Sequence, residues 1–211
     1  DRESAKKFSG HGSAIAQVYN HMIMPLANRR DRITQIAWGV RDFEARFKRK
    51  PEGMWLPETA VDLETLELLA DFGVRFTILA PHQAARTRRI GQSEWRELEH
   101  GGIETNRAYR QRLPSGKSLA IFFYNGPIAR AVAFEGLLSQ GERFIQRLYA
   151  AFSAQEEQEQ LVHIATDGES YGHHHRFGDM ALAYALDRIE ADAQTALTNY
   201  GEFLANYPPT Y

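Results

Sequence analysis

Apolar residues recur every three or four positions in several stretches of this 211-residue chain, and that spacing predicts amphipathic helices. Asp62 and Gly73 flank one stretch as an N-cap and a left-handed C-terminal residue. Pro25 interrupts the first stretch and predicts a stop or kink near Met24, because a proline inside a helix forfeits a hydrogen bond. The predicted helices span residues 13–28, 38–47, 63–72, about 136–152, 179–191 and 194–204.

Short apolar runs bounded by turn residues predict β-strands. A Pro-Ser-Gly-Lys turn at 114–117 joins two of them into a hairpin. Residues 91–106 show little apolar periodicity and predict an irregular excursion. The last strand is a short buried run of the kind found in parallel sheets. The predicted strands span residues 53–56, 75–80, 108–113, 118–124 and 161–165.

The alternation of these strands and helices predicts an α/β fold with a mostly parallel sheet covered by helices. Right-handed crossovers place the carboxyl ends of parallel strands on one face, where the loops form a common crevice. A chain of this length has room for one sizeable core, and no repeat or domain linker divides it. Residues 1–211 are therefore predicted to form a single domain, with a solvated linker between elements at 155–160.

Composition excludes several classes of protein. The chain is 43% hydrophobic and 25% charged with a net charge of −2, which is typical of a soluble globular domain. The basic runs at 46–50 and 86–89 are short and lie near acids, so nucleic acid is not an expected partner. The absence of cysteine excludes disulfides and thiolate metal sites. No apolar stretch approaches the roughly 20 residues that span a bilayer, and residues 1–7 form no signal peptide, so a cytoplasmic, non-membrane protein is expected.

Carboxylates stand where two of the predicted strands end. Glu58 follows a Trp-Leu-Pro run, and Asp167 and Glu169 follow the last predicted strand. Because the carboxyl ends of parallel strands meet, acids distant in sequence face a common substrate there. The run of rings over 171–175 comes next, and exposed rings suit sugars, whose C–H faces stack on them. Paired carboxylates with such neighbours indicate glycoside hydrolysis.

Other polar and aromatic residues are divided between the pocket and the structure. His11 and Gln17 are predicted at the amino end of the first helix, and His82 and Gln83 follow the second strand. The consecutive histidines at 173–175 cannot all point one way, so at most two face the pocket. The candidates for stacking on a sugar are Trp38, Trp55, Tyr124 and Tyr171. For Trp38, packing in the core is an equal alternative. Structural or solvent roles are assigned to His21, His100 and His163.

Three segments resemble the ordered motifs of glycoside hydrolase family 57, whose members act on α-glucans. They are Gly10-His11-Gly12-Ser13, Gly53-Met54-Trp55-Leu56-Pro57-Glu58 and Asp167-Gly168-Glu169-Ser170-Tyr171-Gly172-His173-His174. The resemblance covers most of the chain and implies an incomplete (β/α)7-type barrel, here with a small β-hairpin excursion. It also implies a reaction that retains anomeric configuration, with Glu58 as the nucleophile and Asp167 as the general acid/base. An amylase, a glucanotransferase and a branching enzyme all fit it.

A retaining reaction makes separate demands on the two carboxylates. Glu58 must be ionised to attack the anomeric carbon, and Asp167 must deliver a proton to the leaving oxygen and later withdraw one from water or a sugar. Retention predicts carboxyl groups roughly 5–5.5 Å apart, and the reaction needs no cofactor or metal. The third acid, Glu169, is expected to bind a sugar hydroxyl or anchor a histidine. Substrate-binding roles are predicted for His11, Trp55, His82, Gln83, Tyr124, Glu169, Tyr171, His173 and His174.

The chain also departs from the family pattern, and two other functions stay open. Relatives carry an early strand with a His-Gln-Pro-like motif, and nothing before His11 matches it, so the chain is expected to be a central, truncated part of a longer catalytic domain. A metal-dependent hydrolase, such as a sugar deacetylase or a zinc mannosidase-like enzyme, would leave Glu58 without a role. Its ligands would come from His11, His82, Asp167 and His173. A carbohydrate-binding fragment would keep the pocket without turnover. The sequence leaves linkage specificity and oligomeric state open.

Overall fold

The computed structural model describes residues 1–99, 101–154 and 158–211, so His100 and part of the predicted linker lie outside the described residues. The α-helices are α1 (Arg2–Lys7), α2 (Arg29–Phe47), α3 (Leu63–Asp71), α4 (Gly126–Phe134), α5 (Gly141–Tyr149), α6 (Gly178–Glu190) and α7 (Tyr200–Asn206). The strands are β1 (Ala16–Gln17), β2 (Met54–Trp55), β3 (Phe76–Leu79), β4 (Arg86–Thr87), β5 (Arg96–Glu97), β6 (Ala108–Arg112) and β7 (Ser118–Phe123). Short 3-10 turns cover Met24–Leu26, Pro57–Thr59, Pro81–Gln83, Leu137–Ser139 and Gly168–Ser170.

Five strands of the described residues lie side by side in the order β1-β2-β3-β7-β6, and β4 pairs with β5 in a separate antiparallel ribbon. β1 pairs with β2 in parallel, β3 pairs with β7 in parallel, and β7 pairs with β6 in antiparallel. A parallel bridge between Gly53 and Phe76 joins the two groups of strands. The predicted hairpin is confirmed, and it belongs to this sheet because its second strand pairs with β3. The carboxyl ends of β1, β2, β3 and β7 consequently lie at one edge.

Close packing around β1 and β2 depends on two glycines. A Cβ on Gly39 of α2 would lie 2.1 Å from the carbonyl oxygen of Gln17, and a Cβ on Gly53 would lie 2.2 Å from the ring of Phe76. Neither position has room for a side chain, because real carbon atoms do not approach so closely. The two glycines therefore let α2 pack against β1 and let the segment before β2 pack against β3.

Buried apolar side chains pack between the helices and the sheet. Ile36 of α2, Met54 of β2 and Leu69 of α3 are fully buried in one cluster. A second cluster, around Val132 and Phe144, holds α4, α5 and α6 together. Burial of this kind contributes roughly 25 cal/mol per Å² of apolar surface removed from water. No helix in the described part of the chain is long and apolar enough to cross a membrane.

The helix predicted over 13–28 is wrong. The segment contains β1 and a 3-10 turn at Met24–Leu26 instead. Ala16 N donates to Gly53 O at 2.9 Å, and the buried residues Ala16 and Val18 alternate with exposed neighbours, as in a strand. The three- and four-residue spacing of apolar positions was therefore coincidental, and the backbone bonds go to β2 rather than along a helix.

Other predicted elements differ in extent. Residues 161–165 form no strand, although Leu161 N donates to Asn106 O and His163 O accepts from Asn125 N. Residues 126–134 form α4, with Asn125 as its N-cap, and α5 is a separate helix ending at Tyr149. The helix predicted over 194–204 begins only at Tyr200. The helix predicted over 38–47 is only the second half of α2, which begins at Arg29. The remaining predicted helices and strands are confirmed, including α3 with its cap.

A buried arginine joins the first two long helices at the edge that holds the strand carboxyl ends. Arg32 of α2 is 7% exposed, and its Nη1 lies 2.7 Å from Asp62 Oδ2. Asp62 Oδ1 also accepts from Thr65 N at 2.8 Å and so caps α3. Burial raises the pKa of the Asp62 carboxyl, but the hydrogen bonds from Thr65 and the Arg32 guanidinium together lower that pKa below its ordinary value of 3.8. Asp62 thus acts as a helix cap and as the counter-ion of a buried charge.

We expect Asp62→Ala to lower the free energy of unfolding by about 2 kcal/mol, since it removes a cap and leaves Arg32 with a poorer partner. Because the native pKa of Asp62 is depressed, its contribution is present above pH 3.8 and is lost as pH falls through the native value. Urea unfolding at several pH values measures both effects. Asp42→Ala, which removes an exposed ion pair with Arg46, is the control and should cost under about 0.5 kcal/mol. Equal losses in the two variants would contradict this account.

Candidate active site

The first candidate acid lies in a strained turn directly after β2. Glu58 has φ +55° and Thr59 has φ +53°, so two consecutive residues with side chains occupy the left-handed region. Each such residue costs roughly 1–2 kcal/mol relative to ordinary backbone. Two backbone bonds close the turn, from Thr59 N to Leu56 O and from Ala60 N to Pro57 O, both at 3.0 Å. Strain of this kind persists where surrounding structure fixes the chain, and it is frequent at functional sites.

The turn presents the Glu58 carboxylate to solvent beside a histidine. The side chain of Glu58 is 71% exposed, and its Oε1 lies 3.0 Å from Nε2 of His21. His21 was assigned to structure or solvent from the sequence, because no neighbouring residue suggested a chemical role for it. It instead lies in the loop after β1 and faces the acid at the end of β2. The pairing of β1 with β2 places His21 beside Glu58, and a correct prediction of that pairing would have identified His21 as a candidate.

Gln83 connects the same turn to the end of β3. Its Oε1 accepts from Ala80 N at 2.8 Å, and its Nε2 donates to Thr59 O at 2.8 Å. The sequence predicted that this amide binds substrate, but both of its polar ends are engaged by backbone groups. The neighbouring His82 is exposed at the same edge of the sheet. The predicted residues Glu58, Gln83 and His82 therefore follow neighbouring strands at this edge, and His21 joins them although the sequence did not predict it.

The second candidate acid lies in a loop that is fixed to the helices α4 and α6. Asp167 precedes the 3-10 turn Gly168–Ser170, and its side chain is exposed. Tyr171 OH pairs with Thr166 Oγ1 at 3.0 Å, and His175 Nε2 donates to Ala133 O of α4 at 3.0 Å. The segment before the loop bonds to Asn125 at the carboxyl end of β7. Asp167 follows this segment, and no hydrogen bond joins its carboxylate to that of Glu58 within the described ranges.

In the histidine run, His175 lies apart from the other two and is half-buried against α4. His173 and His174 are exposed, and their rings meet edge to face with centroids 5.0 Å apart. Glu169 O accepts from the backbone N–H groups of both, and the exposed carboxylate of Glu169 has no hydrogen bond among the described residues. These three side chains are therefore open to solvent and available to a ligand at the Asp167 loop.

His11 does not lie in this cluster. It precedes β1, and its Nδ1 lies 2.9 Å from Glu52 Oε1. Glu52 precedes β2 and also binds Arg75, which precedes β3. These residues mark the amino ends of the parallel strands, opposite to Glu58. The prediction that His11 lies in the pocket was wrong. The sequence placed His11 at the amino end of a helix, but the residues that follow it form β1, so His11 lies at the amino edge of the sheet.

The candidate stacking rings have different surroundings. Trp55 and Tyr124 are half-buried against the cluster that includes Phe76 and Phe122. Tyr171 is half-buried against the α4–α6 cluster. Trp38 is 47% exposed and meets Tyr19 edge to face with centroids 5.4 Å apart. Trp38 is therefore not a core residue.

The geometry does not assemble the metal site considered from the sequence. Its proposed ligands were His11, His82, Asp167 and His173, and His11 lies at the opposite end of the sheet, paired with Glu52. Across residues 1–99, 101–154 and 158–211, no group of three or more His, Asp and Glu side chains converges to hold an ion.

The sequence matches glycosyl hydrolase family 57 over residues 6–211. The chain belongs to this family. Its fold is the (β/α)7-barrel-like α/β fold of the family, and its matched region includes both candidate acids. A comparison with curated proteins gave no match.

Solved structures with the same fold include three enzymes that act on glucans according to their names. The chain superimposes on a family 57-type branching enzyme from Pyrococcus horikoshii with a TM-score of 0.74 and 19% identity, covering 99% of this chain and 48% of that one. A 4-alpha-glucanotransferase from Thermococcus litoralis gives 0.72 and 18%, covering 98% and 30%. An exo-type maltose-forming amylase from Pyrococcus sp. ST04 gives 0.71 and 19%, covering 99% and 34%. The family 57 chain described here spans half or less of each.

A half-buried histidine lies on the segment that leads to Asp167. His163 Nδ1 forms a hydrogen bond with Tyr200 OH at 3.0 Å, and its Nε2 is buried without a hydrogen-bond partner among the described residues. Its ring also meets Phe122 edge to face. Burial lowers the pKa of His163 from 6.5 to about 4, while backbone groups of Thr105 and Phe123 oppose the shift. The ring is therefore neutral in the native protein near neutral pH.

Acidification should destabilise the chain through His163. Between pH 6.5 and about 4 the unfolded state takes up a proton that the native state does not, so stability falls as pH decreases through this window. The full effect is at most about 3 kcal/mol. In His163→Phe, urea unfolding should show a flatter pH dependence over this range, whereas His21→Ala, which removes an exposed histidine, should keep the original slope. An unchanged slope in His163→Phe would contradict the assignment.

Proposed function

We propose that the protein containing this chain is a retaining enzyme that hydrolyses or transfers α-glucans, with Glu58 as nucleophile and Asp167 as general acid/base. The observation that carries the proposal is the position of Glu58, held by a strained turn at the carboxyl end of β2 with its carboxylate directed to solvent. Membership of family 57 and the shared fold of a branching enzyme, a glucanotransferase and an amylase support the substrate class. The cytoplasmic location stays a prediction.

The first step transfers the sugar to the protein. Glu58 attacks the anomeric carbon and forms a glycosyl ester while the bond to the leaving oxygen breaks, and Asp167 gives its proton to that oxygen. His21 donates to Glu58 Oε1 and so fixes the orientation of the carboxylate before attack. Both acids are exposed in the free chain, so a bound glucan would displace water from them and strengthen these interactions.

The second step releases the sugar with the original anomeric configuration. Asp167, now ionised, takes a proton from water or from a sugar hydroxyl, whose oxygen attacks the anomeric carbon and frees Glu58. His173, His174 and Glu169 lie in the same loop and are open to solvent, which suits binding of sugar hydroxyls. Trp55, Tyr124 and Tyr171 supply half-buried rings nearby.

Glu58→Gln should lower kcat on maltooligosaccharides by at least about 10³-fold, because an amide does not form the glycosyl ester. Asp167→Asn should strongly slow the first step on natural glucans but spare the initial burst of fluoride from α-maltosyl fluoride, since fluoride leaves without a proton. Steady turnover of both substrates should fall, because the second step still needs Asp167 as the base. Chromatography of the products and fluoride release measure the two rates. Early NMR spectra of the product should show the α-anomer.

Matched controls separate chemistry from loss of surface charge. Glu135→Gln and Asp71→Asn make the same changes in exposed ion pairs with Arg130 and Lys117, and both should keep wild-type kcat. Retained activity in Glu58→Gln, or a β-anomeric first product, would reject the proposed mechanism.

His21→Ala tests the histidine beside the proposed nucleophile. Both members of the pair are about 70% exposed, so its loss should change the free energy of unfolding by under about 0.5 kcal/mol. The same change should lower kcat by about tenfold or more, because a misoriented nucleophile reacts slowly. Urea unfolding and steady-state kinetics give the two values. A parallel loss of stability and activity would indicate a structural role only.

A further inference from the structure

We infer that Gln83 is a positioning residue for the nucleophile, acting through the backbone of the turn that carries Glu58. The inference rests on the proposed function, because it assigns a role in the reaction of the same site. Gln83 does not contact the Glu58 carboxylate. Its amide instead bonds the carbonyl of the next residue, Thr59, to the end of the neighbouring strand β3.

The geometry leaves this amide one arrangement. Ala80 N is a donor and needs the Oε1 end of the side chain, while Thr59 O is an acceptor and needs the Nε2 end. The bonds are both 2.8 Å long, and the side chain is half-buried. Gln83 therefore acts as a bridge of fixed length and polarity between β3 and the turn.

The bridge attaches where the backbone is most strained. Glu58 and Thr59 both have left-handed φ, and relaxation of either residue to ordinary backbone would redirect the Glu58 side chain. The bonds within the turn use Thr59 N and Ala60 N, which leaves Thr59 O free for an outside partner. Gln83 supplies that partner, so the turn is held to a strand at the point that follows the nucleophile.

The substitution Gln83→Glu separates the two ends of the bridge. A carboxylate accepts from Ala80 N but has no donor for Thr59 O, so it keeps one bond and breaks the other. Gln83→Met breaks both bonds without adding a charge. We expect each variant to lower kcat by about 10- to 100-fold with KM changed by less than about threefold, as for a small displacement of a reacting group.

Two further measurements distinguish positioning from general loss of structure. α-Maltosyl fluoride needs no proton in the first step. If the nucleophile is displaced, both variants should therefore lower kcat on the fluoride as much as they lower kcat on glucans. Protonation of the introduced carboxyl restores a donor to Thr59 O, so the kcat of Gln83→Glu relative to wild type should rise as pH falls toward about 4. The ratio for Gln83→Met should stay flat.

Gln111→Glu is the matched control, because Gln111 Nε2 also donates to a backbone carbonyl, that of Arg112, away from the turn. It should keep wild-type kinetics, and thermal unfolding should show all variants folded at the assay temperature. If wild type turns over neither glucans nor the fluoride, the proposed function fails. The role of Gln83 alone is rejected if wild type is active and both Gln83 variants have wild-type kcat. It is also rejected if the variants lower kcat on glucans but not on the fluoride.

Discussion

The parallel register of β1, β2, β3 and β7 is the constraint on which the remaining structure depends. It places the residue after each strand at one edge and the residue before each strand at the other. Glu58, Gln83 and His21 share the first edge because each follows a strand, whereas His11 lies at the second because it precedes one. Position relative to a strand, and not residue type, decides which polar groups meet. Gly39 and Gly53 make this register possible by allowing contacts that no side chain permits.

The carboxylates at the two edges of the sheet differ in the number of their partners. At the amino edge Glu52 is shared by His11 and Arg75, and the half-buried network leaves its carboxylate with two partners. At the carboxyl edge Glu58 has a single exposed histidine partner, and Asp167 has no hydrogen bond to its carboxylate within the described part of the chain. A carboxylate with several fixed partners stabilises structure, while a sparsely bonded one stays free to accept a ligand or form a bond. This contrast separates the structural acid from the proposed reactive ones.

The sequence predicted elements well where periodicity and terminal residues agreed. Asp62 and Gly73 flanked α3 correctly, because N-cap bonding and left-handed backbone are local properties. The sequence failed at β1, where two residues pair with a distant strand and their backbone bonds are invisible to local spacing. That error displaced His11 and concealed His21. The strained turn at Glu58 was also hidden, because neither Glu58 nor Thr59 favours positive φ and only tertiary contacts hold them there.

The strain in that turn connects the fold to the proposed chemistry. Two left-handed residues together cost roughly 2–4 kcal/mol, a cost that the stability of the rest of the domain must offset. The hydrogen bonds within the turn join residues three positions apart and do not connect the turn to the rest of the fold. The bond from Gln83 makes that connection, because it runs from the end of a separate strand to the carbonyl oxygen of Thr59. A rigid sheet can in this way transmit its geometry to an exposed carboxylate that has little packing of its own.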